Sequence, residues 1–375
     1  MSSASAAEPL VEIAQRFSIQ GHAEQIQRFG SGHINDTYLV QCRGGCQRFY
    51  ILQRLNPSVF HRPDAVMRNI ERVTKHLQAK QGKARDRCAL SLVQTLNAET
   101  HTLDLSGAAW RMYLFVEGTV SYDEPPNAEV AREVGRAFGE FQRDLLDLPA
   151  TSLSEPLPDF HHTPKRYEAL LEAVAEDRAG RLSDCKAEIQ FIKARAANTS
   201  VLISLAESGA APPHVTHNDT KINNVLLDMA TGRRKCVIDL DTVMPGLTLY
   251  DFGDLVRTAT CTAPEDETEL ERISIDLDLF RAVTEGYVEA IGMHLSPAER
   301  EHLVFAGKLI TLETAIRFLT DHLNGDRYFK VHRPNHNLDR CRAQLRLVEE
   351  IERNQAEMEQ IVQATLHDLK AADLR

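Results

Sequence analysis

The sequence predicts an α+β protein of two lobes, a small strand-rich one followed by a larger helical one. Three observations lead there. The chain has 375 residues, above the size at which one hydrophobic core usually stops growing, so two packed units are expected. In the first third, apolar residues come in short runs separated by turn formers, which is the pattern of strands. Beyond it they recur every three or four residues over long stretches, which is the pattern of helices.

Taken in order, Phe29 to Gly32 leads into the run Ile34 to Gln41, and Gly44-Gly45 supplies a hairpin turn before Phe49 to Leu55. Pro63-Asp64 opens a helix whose Val66, Ile70, Val73 and Leu77 share one face. Ala89 to Leu96, His101 to Leu105 and Ala109 to Val116 read as short strands, with a turn at Ser106-Gly107. The lobe boundary is expected near Glu117-Gly118, giving residues 1–116 and 117–375. In the second part Val130, Val134, Phe138, Phe141 and Leu145 form one helical face. Similar periodicity runs through Leu270 to Ile291, Leu303 to Leu323 and Cys341 to Leu366, and no repeat of fixed period is apparent.

Composition narrows the function classes. The formal charge of -11 argues against general nucleic-acid binding, which rests on basic patches. No run of about 18 apolar residues is present to span a membrane. The N-terminal segment lacks the charged-then-apolar order of a secretory signal, so a cytoplasmic location is expected. The seven cysteines are irregularly spaced, and Cys42 and Cys46 flank a glycine turn with no second pair to complete a zinc site. His161-His162 reads as a solvated loop pair.

The chemistry is concentrated in the run His217-Asn218-Asp219-Thr220-Lys221-Ile222-Asn223-Asn224 and the strand ending Val237-Ile238-Asp239. Phosphoryl transfer is mostly positioning and charge neutralisation. It needs hard oxygen ligands for magnesium and a carboxylate beside the attacking hydroxyl. Asp219 is the candidate base, and Asn224 and Asp239 are the candidate magnesium ligands. Val225-Leu226-Leu227 and Lys235-Cys236-Val237-Ile238, joined across Thr231-Gly232, form a hairpin that would return Asp239 to Asn224. Asp241, two residues after Asp239 in an extended segment, would lie on the same side and join or orient the metal set. Lys221, inside the loop, is placed to meet the migrating phosphate.

The His217-x-Asp219-x4-Asn224 and Ile238-Asp239 segments resemble the catalytic and metal loops of the aminoglycoside phosphotransferase and choline kinase superfamily, distant relatives of protein kinases. Gly30-Ser-Gly-His-Ile-Asn-Asp-Thr-Tyr38, Tyr50-Ile-Leu-Gln-Arg-Leu-Asn56, Asp239-Leu-Asp-Thr-Val-Met-Pro-Gly246 and Asn337-Leu-Asp-Arg340 are similar to the N-acetylhexosamine 1-kinases. The resemblance implies a protein-kinase-like fold and ATP-dependent phosphorylation of a sugar at its anomeric hydroxyl, with magnesium. It also implies that Asp251, in Asp251-Phe252-Gly253 beyond the Pro245-Gly246 turn, supports the catalytic loop by hydrogen bonding rather than holding metal.

Under that resemblance the N-terminal lobe holds the nucleotide, with Gly30 and Gly32 letting backbone amides approach the phosphates. Where related kinases carry a lysine on the third strand, this chain has Gln53-Arg54. Strand alternation puts these two on opposite faces, so either Arg54 supplies the charge or Gln53 takes the lysine position while a basic residue elsewhere compensates. Glu71 is a possible partner for Arg54. The acceptor falls to the helical lobe, with Arg317 and Tyr328, and His332 behind them, together with His33 from the glycine loop. Same-fold alternatives are a kinase for another sugar, choline, ethanolamine or an aminoglycoside. A catalytically silent nucleotide-binding protein is the other-class alternative. The sequence does not fix the oligomeric state.

Overall fold

In the computed structural model, which describes residues 9–30, 34–44, 48–81 and 89–373, the first third of the chain folds around one antiparallel sheet. After helix α1 (Leu10–Gln15) come β1 (His22–Arg28), β2 (Asp36–Arg43) and β3 (Arg48–Arg54), then α2 (Pro63–Gln81), β4 (Leu92–Val93), β5 (Thr102–Leu103) and β6 (Ala109–Leu114). The order is β1-β2-β3-β6-β4, with β5 also paired to β6. Register sets Thr37 opposite Gln53 and Gln53 opposite Arg111, while Asp36 faces Arg54 and Arg54 faces Trp110. Because side chains alternate, Thr37, Gln53 and Arg111 share one face of the sheet, and Asp36, Arg54 and Trp110 share the other.

Each face has its own cover. Ile13, Ala14 and Phe17 pack on Val40, Leu52, Trp110 and Met112. On the opposite face Val66, Ile70, Val73 and Leu77 of α2 meet Leu55, Ala109 and Tyr113, as the helical period requires. That cluster runs on into Phe141, Leu145, Val215, Leu240 and Val243, so α2 is wedged between the sheet and the rest of the protein. A buried amide fixes the wedge: Asn69 donates to the carbonyls of Ser154 at 2.8 Å and Val243 at 2.9 Å.

The remainder is mainly helical. It comprises β7 (Thr119–Val120), α3 (Ala128–Leu145), α4 (Thr163–Glu176), α5 (Lys186–Lys193) and α6 (Val201–Glu207). Next come β8 (His214–Thr216), β9 (Val225–Asp228), β10 (Arg234–Val237) and β11 (Met244–Gly246). Last are α7 (Thr248–Ala259), α8 (Leu277–Ile291), α9 (Pro297–Glu301), α10 (Leu303–Leu323) and α11 (His336–Asp373). Glycines let α3 and α8 approach closely: a Cβ on Gly135 would lie 2.3 Å from the carbonyl oxygen of Val283, and one on Gly286 would lie 2.0 Å from that of Arg132. Phe138, Phe252, Phe280 and Tyr287 fill the core between α3, α7 and α8.

Some expectations are corrected. The strands read over 89–96 and 101–105 shrink to two residues each. Asp104 is one reason, since its carboxylate accepts from the backbone N–H of Ser106 and Ala108 and closes a turn there. Pro245-Gly246 is not a turn, because Met244–Gly246 pairs antiparallel with His214–Thr216. The last helix begins at His336, five residues before the expected Cys341, and runs to Asp373. The helix expected from Leu270 is split, with α8 starting at Leu277 behind its N-cap Asp276.

Candidate active site

The β8 strand delivers the chain into the loop that carries Asp219. Asn218 in this loop has φ +64°, and Asp239 beyond β10 has φ +59°. Both are left-handed backbones that a non-glycine residue holds at a cost of about 1–3 kcal/mol when the surroundings over-determine them. Here they do. Asp251 on α7 accepts from the backbone N–H of His217 at 2.9 Å and of Asn218 at 2.7 Å, and from Gln142 Nε2 at 2.7 Å. Thr220 Oγ1 donates to the Asp251 carbonyl at 2.6 Å. Burial raises the pKa of Asp251, against the pull of His217 and of these donors.

His217 is buried between the rings of Phe138 and Phe141, with centroids 5.4 and 5.6 Å away. Its Nε2 lies 2.9 Å from the carbonyl oxygen of Ile238, which only accepts, so Nε2 carries the proton and Nδ1 receives the N–H of Asp219 at 3.3 Å. One ring therefore ties the catalytic loop to the segment before Asp239.

The β9–β10 hairpin, turning through Gly232 at φ +69°, closes with Ile238 N donating to Asn224 O at 2.9 Å. It brings Asp239 beside Asn224. The Asn224 amide nitrogen donates to the Asp219 carbonyl at 2.9 Å and to its carboxylate at 3.4 Å, which leaves the Asn224 side-chain oxygen for a cation. Lys221 Nζ lies 3.0 Å from Asp219 Oδ1. Enclosure pushes the Asp219 pKa up, but the Lys221 charge and hydrogen bond more than reverse this, so Asp219 stays ionised. The enclosing walls, then the carboxylates of Asp241 and Asp219, raise the pKa of Asp239, although its own side chain is open to solvent.

Asp241 is the main departure. The segment Leu240–Thr242 is a turn of 3₁₀ helix rather than an extended strand, so the expected alternation does not apply. Its carboxylate is committed to a fully buried ion pair with Arg111 and to Asn35 Nδ2 at 2.6 Å. Arg111 also donates through Nε and Nη2 to Gln53 Oε1 at 3.0 and 2.8 Å, and Gln53 Nε2 donates to Thr37 Oγ1 at 3.0 Å. Burial lowers the Arg111 pKa, but Asp241 and Asp239 reverse this, so the guanidinium is permanently charged.

Arg111 and Asn35 were not picked out from the sequence, though a lone arginine inside the apolar run Ala109 to Val116 is a signal, because unpaired charges are not buried in strands. Arg54 points the other way, 3.8 Å from Asp36 and 3.6 Å from Asp104, and is not brought to this cluster. Glu71 bonds Lys75 at 2.7 Å instead of Arg54. Gly30 takes φ +77°, a backbone suited to glycine, while Gly32 and His33 lie outside the described residues.

Arg317 and Tyr328 form a second cluster. The Arg317 guanidinium lies 5.0, 5.8 and 5.6 Å from the ring centres of Phe160, Tyr328 and Phe329. Much of the polar stretch around it is scaffolding. Asp321 accepts from the backbone N–H of Arg327, Tyr328 and Phe329, and Asn337 donates to Asp321 and Asp326 at 2.9 Å each. His332 packs beside His336, which bonds Asp266 at 2.9 Å. His161 is not solvated: it is buried against Glu313 and the Asn218 carbonyl.

Among the described residues no group of three or more His, Cys, Asp or Glu side chains could hold a metal by itself. Asn224 and Asp239 are the two oxygen donors that could hold a magnesium ion, whose remaining positions nucleotide phosphates and water would fill. No described helix is long and apolar enough to cross a membrane.

A strand-rich region followed by a helical one is the architecture of a kinase-like fold. The chain belongs to the phosphotransferase enzyme family, whose profile matches residues 25–285. It is an ATP-dependent phosphotransferase with an alcohol group as acceptor.

Solved structures share the fold. A microcompartment-associated aminopropanol kinase superposes with TM-score 0.60 at 16% identity, over 93% of this chain and 98% of that one. An aminoglycoside phosphotransferase from Alicyclobacillus acidocaldarius gives 0.56 at 13%, over 99% and 97%. An amicoumacin kinase in complex with AMP-PNP, Ca2+ and Ami gives 0.57 at 12%, over 92% of each chain.

Proposed function

We propose that the protein transfers the terminal phosphoryl group of ATP to the anomeric hydroxyl of an N-acetylhexosamine or a close relative, giving a sugar 1-phosphate. The observation that carries the acceptor class is the isolation of Arg317. It has no ion-pair partner among the described residues, and Arg166 stands near it as a second cation. Glu313, one helical turn before Arg317, is spent on His161 at 2.8 Å and Thr163 at 2.5 Å, and Asp159 is spent on Lys165 at 2.7 Å. An amine-bearing acceptor would meet two positive charges and no free carboxylate there. A neutral ring rich in hydroxyl and carbonyl oxygens would meet hydrogen-bond donors and aromatic faces. The sequence motifs shared with N-acetylhexosamine 1-kinases support the same acceptor.

In this reading residues 1–116 form the nucleotide lobe and residues 117–375 the catalytic and acceptor lobe. Asp219, held ionised, orients the acceptor hydroxyl and takes its proton. Asn224 and Asp239 hold magnesium, which neutralises phosphate charge when bound. Gln53 stands on the nucleotide side of the cleft, and Arg111, buried behind it, supplies through Gln53 and Asp241 the positive charge that related kinases place on the third strand. Gly30 leads the glycine loop, with Gly32 and His33, over phosphates and acceptor. Lys221 exchanges Asp219 for the transferring phosphoryl group. A cytoplasmic location accords with the need for ATP.

The test is magnesium-dependent ATP consumption against a panel of N-acetylhexosamines, simple hexoses, choline, ethanolamine and aminoglycosides. Turnover with N-acetylhexosamines alone, or with hexoses more weakly, is expected. Turnover confined to the amines removes the sugar assignment. ATP consumption with none of them removes the enzyme from this acceptor range.

A further inference from the structure

One buried ionic group lies between the Arg317 cluster and the catalytic loop. His161 precedes α4, and Glu313 stands on α10, one helical turn before Arg317. His161 Nδ1 is 2.8 Å from Glu313 Oε1, and His161 Nε2 is 3.1 Å from the carbonyl oxygen of Asn218. An ionised carboxylate and a backbone carbonyl both only accept hydrogen bonds, so satisfying both contacts requires a proton on each ring nitrogen. Thr163 Oγ1 fills the other oxygen of Glu313 at 2.5 Å.

The groups facing His161 are few. Glu313 and Arg317 approach from α10, the Tyr250 ring lies 5.1 Å away on α7, Phe160 meets the ring edge to face at 4.7 Å, and the Asn218 carbonyl accepts from Nε2. Burial lowers the His161 pKa, and the Glu313 carboxylate with its hydrogen bond outweighs it, so the net shift is upward. A buried ion pair of this kind is weak support for stability, since desolvation offsets most of the attraction. What it does do is geometric. It grips the residue that immediately precedes Asp219, one with a left-handed backbone, and it keeps Glu313 from pairing with Arg317.

We propose that His161 is a positioning residue with two roles: it holds the Asn218 carbonyl so that Asp219 is aimed at the acceptor hydroxyl, and it occupies Glu313 so that Arg317 stays free for the acceptor. The proposal rests on the reading of Asp219 and Arg317 given above. Two separable losses follow when His161 is removed. Slackening of the loop lowers kcat. Capture of Arg317 by the released Glu313 carboxylate raises the acceptor KM and leaves the ATP KM in place.

The experiment is a variant cycle on the full chain. His161→Ala is expected to lower kcat by about 10- to 100-fold and raise the acceptor KM by about 10-fold, with the ATP KM within about 2-fold. Adding Glu313→Gln to His161→Ala should restore the acceptor KM without restoring kcat, because no carboxylate remains to hold Arg317. In an Asp219→Asn background His161→Ala should cost little further kcat, since its effect is exerted through Asp219. His161→Gln keeps one N–H donor, so it should recover part of kcat, and it carries the test if the alanine variant does not fold. A double variant that is worse in every parameter, or a kcat for His161→Ala within about 2-fold of wild type, overturns the proposal. Amide hydrogen exchange over residues 217–221 gives an answer independent of any acceptor: it should be faster in both His161 variants. Unchanged exchange overturns the positioning role even if the acceptor assignment stands, and faster exchange in a protein inactive on the whole panel supports the role while removing that assignment.

Discussion

Arg111 and Asp241 form a fully buried ion pair between the central sheet and the turn that follows Asp239. Gln53 and Asn35 complete its hydrogen bonding, so the pair fixes the turn after Asp239 to the sheet face that carries Thr37, Gln53 and Arg111. Arg111→Met should destabilise the protein by about 3–5 kcal/mol in denaturant unfolding, because the Asp241 charge is left buried without its countercharge. The double variant Arg111→Met with Asp241→Leu should regain most of that stability and still bind ATP weakly. Normal ATP affinity in the double variant would make the pair purely structural.

Asp219→Asn should lower turnover by about 10²–10⁴-fold, or roughly 3–5 kcal/mol of barrier, with ATP binding nearly intact. Titration of nucleotide binding beside steady-state rates checks both halves. A variant with near-normal turnover would remove Asp219 from the mechanism.

The constellation Asp219, Asn224 and Asp239 is legible in the sequence because a loop and one hairpin bring the three together within about two dozen residues, where spacing constrains geometry. The long helices are legible for a similar reason, and Leu303–Leu323 coincides with its apolar period. What escaped depends on distant contacts. Asn35 and Asp241 are 206 positions apart, and no local pattern announces their hydrogen bond. Arg111 is hidden in an apolar strand, and His161 reads as a polar loop residue until α10 places Glu313 against it. The extended geometry expected at Asp241 is not found because a left-handed Asp239 breaks the alternation of an extended chain.

Asp239 and Asp251 should separate metal binding from loop support. Asp239→Ala should abolish activity and weaken magnesium-nucleotide binding with no loss of Tm. Asp251→Ala should lower Tm and slacken the catalytic loop, since it strips acceptors from the His217 and Asn218 amides. Loss of metal binding from Asp251→Ala alone would reverse the two roles.

The raised pKa of Asp239 gives a pH signature. A folded-state pKa above the unfolded value means the native protein binds more protons, so this group's contribution to stability falls as pH rises above about 4 towards neutrality. Without magnesium, Asp239→Asn should therefore raise Tm more at about pH 8 than at about pH 4.5. Magnesium-nucleotide affinity of the wild type should increase over the same range, because the cation displaces a proton. A Tm difference independent of pH would contradict this.

Gly246 sits where β11 crosses the catalytic loop. A Cβ there would lie 2.3 Å from Thr216 Oγ1 and 2.8 Å from Asn218 Oδ1. Gly246→Ala should cost about 1–3 kcal/mol of stability and lower kcat through the displaced Asn218. Wild-type Tm and kcat would show that the loop can yield.

Removing the Arg317 guanidinium should affect the acceptor far more than the nucleotide. Arg317→Ala is expected to raise the acceptor requirement by about 1.5–3 kcal/mol equivalent in kcat/KM, with the ATP requirement nearly unchanged. Equal losses for both substrates would place Arg317 outside the acceptor pocket.

The central claim is most directly tested by locating the phosphate on the product. The wild-type enzyme, incubated with magnesium, ATP and a free N-acetylhexosamine, should give phosphorus-to-H1 coupling in the product NMR spectrum and a sugar that no longer reduces. Phosphate on a primary hydroxyl, or phosphorylation only of amino alcohols and aminoglycosides, would contradict the sugar 1-kinase assignment while leaving the phosphotransferase fold in place.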